Sequence, residues 1–193
     1  MARRYGVDMR WDALFEDLQS QWTALQDRAR ESEIAERTRI DQGSVTLAGR
    51  LRASTGDRVR ALQSDGETVD GTIAFTGAGW ACLRAGALDV IVVVSWCRAW
   101  EGLRRATAPE PSSVGDRLSL TSALRGLSRD RAVVTVTVAA GPGSTAIRGR
   151  IDRVGRDFVD LTTVHPGELR PDHTGTVTTV PTAACLRIGS LAR

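Results

Sequence analysis

The chain contains one pattern twice, and this duplication constrains the fold more than any other feature of the sequence. Residues 71–83, GTIAFTGAGWACL, match residues 149–161, GRIDRVGRDFVDL, position for position. An amphipathic run precedes each stretch, LAGRLR at 47–52 and LTSALR at 120–125. The duplication predicts two copies of one structural unit. No acid–base or metal constellation is repeated with it, so the pattern points away from an enzyme.

Chain length, composition and net charge limit the size and the function of the two copies. The 193 residues suffice for two small units of roughly 70 residues each plus an extension. All 26 basic residues are arginine and asparagine is absent, which indicates a GC-rich, actinobacterial genome or, alternatively, selection for arginine chemistry. The net charge of +3 is too small to diagnose nucleic-acid binding, for which a clustered basic face matters more than the total.

The cysteines and the apolar runs predict a cytoplasmic protein. Cys82, Cys97 and Cys185 are odd in number, lie far apart and sit in apolar segments, so we expect buried thiols and neither a disulfide framework nor a zinc site. The chain opens on a charged amphipathic segment that does not resemble a signal peptide. The apolar run 90–94 is far shorter than the ~20 residues that span a bilayer, and no membrane partner is predicted.

Apolar residues recur at steps of three and four between residues 11 and 39, which is the spacing of a heptad seam. The pattern predicts one long amphipathic helix at the N-terminus. There are two alternatives for this apolar seam. It packs on the rest of the same chain, or it binds a second copy of the chain or another protein. The candidate partner-binding residues are Trp11, Phe15, Leu18, Trp22 and Leu25.

Each copy reads as a short helix followed by about five short strands. We expect helices at 45–54 and 118–129, with strands between 59 and 103 and between 132 and 188. The predicted fold is therefore mainly β: a long N-terminal helix and two tandem five-stranded SH3-like barrels, each preceded by a short helix. The predicted organisation is helix 1–42, first barrel 43–106, linker 107–115 and second barrel 116–193.

The strand and turn motifs resemble the Sm-like family of small β-barrels. The first copy has VRALQSDGETVDGTI at 59–73, and the second has VTVTV at 134–138 followed by IRGRIDRVGRDFVDL at 147–161. A looser match to that family's second motif is LRIGS at 186–190. The Gly-x-Ile step has a physical reason, because a sharply bent strand needs a residue without Cβ where it crosses the barrel. The resemblance implies closed barrels and RNA binding.

One part of the family's RNA site is not carried over. Sm-like proteins hold RNA bases with an Asp and an Asn in the bend between the second and third strands. Here Gly77 and Ala81 stand at those places in the first copy, and Gly155 and Val159 in the second. Base recognition through that amide is therefore not expected.

The remaining polar residues form no catalytic pattern. His165 and His173 flank Glu168 and Asp172 in one proline-bearing loop, but their spacing matches no zinc template. No serine sits in a Gly-x-Ser-x-Gly elbow. We predict no enzyme, no metal, no cofactor and no small-molecule substrate.

Arginines are the candidate binding residues, because guanidinium groups bind phosphate in a bidentate manner and stack on bases. The alternative is an ordinary solvated surface, since acidic residues alternate with these arginines. The expected function is a non-enzymatic adaptor or regulator that binds nucleic acid, RNA rather than DNA. The alternative is a protein-interaction scaffold that docks or dimerises through the N-terminal helix. The candidate nucleic-acid-binding residues are Arg50, Arg52, Arg58, Arg60, Arg125, Arg129, Arg148, Arg150, Arg153 and Arg156.

Overall fold

The structure is a computed structural model that describes residues 42–108, 118–163 and 176–191, with residues 16, 19–23, 25–26, 28, 30–33, 36 and 39. Contacts divide the chain into two units, Met1–Val45 and Thr46–Arg193.

The first unit contradicts the prediction of a long N-terminal helix. Its described residues between 16 and 39 are short stretches with helical backbone, and the described part of the chain contains no long N-terminal helix. Trp11, Phe15 and Leu18 lie outside the described residues. Trp22 is 65% exposed and Leu25 59% exposed. These two seam residues are therefore mostly exposed to solvent. Most helices in proteins are stabilised by burying an apolar face, and these two side chains contribute little to such burial.

The second unit contains two short helices. Helix α1 (Leu47–Ala53) begins at Thr46, whose side chain accepts a hydrogen bond from the Gly49 amide at 3.0 Å. Helix α2 (Leu120–Arg129) begins in the same way at Ser119, which accepts from the Ser122 amide at 3.2 Å. Both caps satisfy amide groups that the first helical turn leaves unpaired. Within the described part of the chain, neither helix nor any other reaches the length and apolarity that a membrane span requires.

Ten strands follow the helices in two matching sets, and in each set a short 3₁₀ turn (Val94–Trp96 or Thr182–Ala184) precedes the last strand. We call α1 with β1–β5 the first repeat and α2 with β6–β10 the second repeat. The strands of the first repeat are β1 (Arg58–Gln63), β2 (Thr68–Gly77), β3 (Trp80–Ala85), β4 (Leu88–Val93) and β5 (Cys97–Glu101). The strands of the second repeat are β6 (Val133–Ala140), β7 (Gly143–Val154), β8 (Phe158–Thr163), β9 (Val177–Pro181) and β10 (Cys185–Leu191).

The prediction of two closed five-stranded barrels is wrong. All ten strands form one open antiparallel sheet in the order β5-β1-β2-β3-β4-β10-β6-β7-β8-β9. Closure of the first repeat would require β4 to pair with β5, but β4 pairs with β10 of the second repeat, with Ile91 opposite Ile188. The hydrogen-bonding edge of β4 is therefore used between the repeats, and β5 and β9 remain as the two edges of the sheet.

The sheet carries one apolar core for each repeat, and the two cores lie on opposite faces. Val90 and Val92 of β4 belong to the first core, while Ile91 between them belongs to the second. Since successive residues of a strand point to opposite faces, the core side changes at the junction of β4 and β10. We call the face opposite each core the outer face of that repeat.

The second strand of each repeat bends at the same place. A Cβ on Gly71 would lie 2.7 Å from the Arg84 carbonyl oxygen, and one on Gly149 would press against the Thr162 carbonyl oxygen. The pairing register then shifts just beyond Ile73 in β2 and just beyond Ile151 in β7. Glycine and the following bulge thus allow both strands to bend closely over their neighbours.

Polar contacts also join the repeats. One guanidinium nitrogen of Arg187 in β10 donates to the Asp65 carboxylate and to the Gln63 side-chain oxygen, both at 2.7 Å. Gln63 in turn donates to the Leu186 carbonyl at 3.1 Å, and the Trp96 indole donates to the Ala183 carbonyl at 2.9 Å. The Asp65 side chain is only 1% exposed, so the junction contains a buried carboxylate paired with an arginine.

Candidate nucleic-acid interface

Strand β7 places three arginines on the outer face of the second repeat. Arg148 and Arg150 alternate with the buried Gly149 and Ile151. The bulge after Ile151 then puts Arg153 opposite Asp160 on the same outer face. The guanidinium groups thus follow one strand, with the apolar core on the other side of the sheet.

These three arginines form no ion pair with any carboxylate in the described ranges. Neighbouring carboxylates are instead bound by threonines: Thr162 donates to Asp152, and Thr179 donates to Asp160 at 2.6 Å. Arg153 lies over the Phe158 ring, 5.7 Å from its centroid. A cation–π contact of this kind holds the guanidinium in place and leaves its N–H groups able to bind an anion.

Two arginines on the first repeat's outer face are paired with carboxylates. Arg60 pairs with Asp70 at 2.9 Å and with Glu101 at 3.5 Å, and Arg84 pairs with Asp89 at 3.4 Å. The hydrogen bond that Arg60 donates to Asp70, together with the negative charges of Asp70 and Glu101, raises the pKa of Arg60. Arg58 is exposed at the start of β1.

The predicted arginines of α1 are tied to the first repeat itself. Arg50 donates to the carbonyl oxygens of Arg104 and Leu103, at 2.8 and 3.2 Å. Arg104 in turn binds Asp57 with two hydrogen bonds of 2.5 and 2.6 Å, which lower the pKa of that carboxyl. Arg52 is half-buried, and its Nε has no hydrogen-bond partner among the described residues. These side chains hold the chain after β5 against α1 and do not extend the arginine row of β7.

The remaining predicted arginines also lie apart from that row. Arg125 of α2 donates to the Gly155 carbonyl at 3.3 Å, beside the exposed Arg156 in the turn between β7 and β8. Arg129 is exposed at the end of α2. Because α2 contributes Leu124 to the second core, it lies on the core side of the sheet, opposite Arg148.

A groove lies beside Arg148, where β4, β10, β6 and β7 run next to one another. We call it the junction groove, and it encloses about 450 Å³. Its side chains are mostly aliphatic or hydroxylic, with two arginines. The residues that line it are Leu88, Val90, Val133, Thr135, Thr137, Arg148, Arg187, Gly189, Ser190 and Leu191.

Sequence reasoning missed most of this groove. In the sequence, residues 186–190 form only a loose motif, and nothing local indicates that Gly189 lies between Val90 and Thr135. These three residues belong to separate strands far apart in sequence. Only the pairing of β4 with β10 brings them together.

The three cysteines are free thiols. Burial raises the pKa of each of them to about 11. They are therefore protonated near neutral pH and poor nucleophiles. The described residues contain no cluster of three metal-ligating side chains, and His165, Glu168, Asp172 and His173 lie outside them.

Comparison with known proteins identifies no family for the chain. No model of a known protein family matches it, and no protein of curated function is similar to it in sequence. The resemblance to Sm-like proteins thus rests on the quoted motifs alone.

Proposed function

We propose that this protein is a non-enzymatic adaptor or regulator that binds single-stranded nucleic acid, RNA rather than DNA, on the outer face of its second repeat. One observation carries the proposal: Arg148, Arg150 and Arg153 share one face of β7, and no described carboxylate pairs with them. Unpaired guanidinium groups in a row are suited to phosphates that follow one another along a strand.

The geometry favours a single strand over a duplex. Arg148 and Arg150 lie two residues apart on one strand, a separation of about 7 Å along the sheet. Reading a duplex requires a helix or ribbon that enters the major groove, whereas these arginines lie on the surface of a ten-stranded sheet. Extended sheet surfaces present their side chains to single-stranded nucleic acid.

A fluorescence-anisotropy titration tests the proposal. The probe is a labelled single-stranded RNA of about 12 nucleotides, within the range that small β-folds cover. Three phosphate contacts predict that the logarithm of the binding constant falls with the logarithm of salt concentration with a slope of about −2. The variant R148Q/R150Q/R153Q should lose this salt-dependent binding.

The matched control removes the same charge from the first repeat. The variant R58Q/R60Q/R84Q also lowers the net charge by three, but two of these arginines are already paired with carboxylates. It should bind nearly as the wild type does. Equal losses in both triple variants would show that only total charge matters, and an absence of salt-dependent binding by the wild type would refute the proposal.

A second candidate function is protein interaction through the first unit. The observation that favours it is the exposure of Trp22 and Leu25, because exposed large apolar side chains mark interaction sites when they form a patch. Light scattering over a dilution series would detect a homodimer, and a pull-down would detect another partner. Trp22→Ala should weaken either association, and a strictly monomeric wild type without partners would exclude this function.

We also propose that the protein acts in the cytoplasm. Three free, protonated thiols suit a reducing compartment. Fractionation of cells that express the full chain tests this, and recovery of the protein outside the cytoplasmic fraction would contradict it.

A further inference from the structure

The junction groove owes its depth to a single glycine. Gly189 lies in the interior of the sheet, opposite Val90 on one side and Thr135 on the other. A Cβ built on Gly189 would meet no heavy atom within 4 Å. An interior strand position normally carries a side chain that packs on its cross-strand neighbours. Here that space is open.

The part of the groove around Gly189 has apolar, partly exposed walls. Leu88 is 44% exposed and Leu191 is 76% exposed, and the two face each other across β4 and β10. Val133 of β6 also lines this part of the groove. A flat apolar group placed over Gly189 would cover these side chains and remove apolar surface from water.

The charge beside the groove indicates what else the occupant carries. Arg148 is two strands from Gly189, a distance of about 10 Å, and it forms no ion pair within the described part of the chain. Arg187 also lines the groove, but Asp65 already neutralises its charge. An occupant therefore needs a flat apolar part over Gly189 and an anionic part near Arg148. The phosphate and base of one nucleotide can bridge that distance.

We infer that the junction groove takes an unstacked base of the nucleic acid whose phosphates lie on Arg148, Arg150 and Arg153. This inference rests on the proposed function and adds to it that the ligand must expose a base. A base in a duplex is stacked and paired, so the groove selects single strands. The lining side chains are aliphatic or hydroxylic apart from the two arginines, so the base is bound by apolar burial without an aromatic stacking partner, and Arg148 binds its phosphate.

The test compares two RNA probes of equal length and equal phosphate number, one with normal bases and one with abasic sites throughout. The wild type should bind the normal probe about tenfold more tightly, which is the effect of one well-held base. Gly189→Leu fills the open space and should reduce binding of the normal probe to the level of the abasic probe. Binding of the abasic probe should not change, because the arginines are intact.

Gly126→Leu is the matched control. A Cβ on Gly126 in α2 also meets no heavy atom within 4 Å, and Gly126 lies outside the groove. This variant should keep the tenfold preference for the normal probe. Urea unfolding establishes that both variants are folded. If Gly189→Leu does not fold, the comparison of the two probes on the wild type still tests whether the protein binds a base.

Each outcome bears on one of the two proposals. Equal binding of the two probes by the wild type would overturn the base-binding inference and leave the arginine site standing. A base preference that survives in a folded Gly189→Leu variant would also overturn the inference, because the base would then lie elsewhere. Failure of the wild type to bind either probe would overturn the proposed function itself.

Discussion

Strands β4 and β9 occupy equivalent places in the two repeats, but only β4 has a neighbouring strand on both of its edges. Each strand pairs with the third strand of its own repeat, so that Ile91 corresponds to Thr179. Ile91 is 8% exposed in the second core, whereas Thr179 is exposed. The difference follows from the neighbour, since β10 pairs with β4 and β9 is an edge of the sheet.

The same contrast extends across both outer faces. Phe75 and Cys82 of the first repeat pack against the second core, and Arg153 and Asp160 occupy the corresponding places in the second repeat. The covered part of the first repeat's outer face thus carries apolar residues, and the corresponding places of the second repeat carry polar ones. The candidate arginine site lies on the face that nothing else in the sheet covers.

Replacing the aromatic residue that begins the third strand should give the largest difference between the repeats. Trp80 is 5% exposed in the second core and donates to the Leu118 carbonyl at 2.9 Å, whereas the equivalent Phe158 is only half-buried. We expect Trp80→Ala to cost about 4 kcal/mol of unfolding free energy and Phe158→Ala about 1 to 2 kcal/mol. Urea unfolding measures both, and equal costs would contradict the comparison.

Exchanging the residues at the centre of β4 and β9 should have the next largest effect. Ile91→Thr removes apolar volume from the core and buries a hydroxyl, so we expect a loss of about 3 kcal/mol. Thr179→Ile is on an exposed edge and should change the free energy of unfolding by less than about 0.5 kcal/mol. Chemical denaturation of the two single variants checks this. A large loss in Thr179→Ile would indicate that β9 is covered in solution.

A carboxylate at the junction of the repeats should contribute more to the free energy of unfolding than one on the first repeat's outer face. Asp65 is buried with Arg187, whereas Asp70 pairs with Arg60 at a site where both side chains are over a third exposed. We expect Asp65→Asn to cost about 2 kcal/mol at neutral pH, and Asp70→Asn to cost less than about 0.5 kcal/mol. Both are measured as free energies of unfolding in urea.

The junction carboxylate predicts a pH dependence of defined sign. Burial alone would raise the pKa of Asp65, but hydrogen bonds from Ser144 and Arg187 outweigh it and lower this pKa below 3.8. The stabilisation is therefore present above the unfolded pKa and is lost as pH falls through the folded value. The difference between the wild type and Asp65→Asn should shrink below about pH 4. A difference that stays constant between neutral and acidic pH would contradict the pairing.

Cysteine reactivity gives the smallest and most local contrast. Cys97 in the edge strand β5 and Cys185 in β10 are equivalent, each following a 3₁₀ turn. Burial raises the pKa of both to about 11, so both should react slowly with iodoacetamide. Cys97 is half-buried and Cys185 is fully buried. Mass spectrometry should find Cys97 alkylated first, and equal rates would mean that β5 is as protected as β10.

Local features of the fold were predictable from the sequence. Helices α1 and α2 fall within the ranges that the amphipathic runs predict, because Thr46 and Ser119 supply caps immediately before them. The matching glycines at 71 and 149 indicated where the second strands bend. These features depend on residues close together in sequence, for which spacing and side-chain type are sufficient.

The candidate site was predictable only in part. The sequence predicts the arginines of β7 as binding residues, since alternation along one strand places them on one face. The sequence also predicts Arg50 and Arg60 as binding residues, but their partners Arg104 and Glu101 come from segments about 40 to 50 residues away. Nothing in the local pattern distinguishes an arginine that a distant carbonyl or carboxylate engages from one that remains unpaired.

The sequence by itself determined that one unit of helix and strands occurs twice, and where each unit bends. Only the tertiary structure decided that the two units share one open sheet through β4 and β10, with the junction groove at that seam. The reason is physical: an unpaired strand edge offers the same N–H and C=O groups to any partner. Which strand takes that edge depends on the packing of the whole sheet.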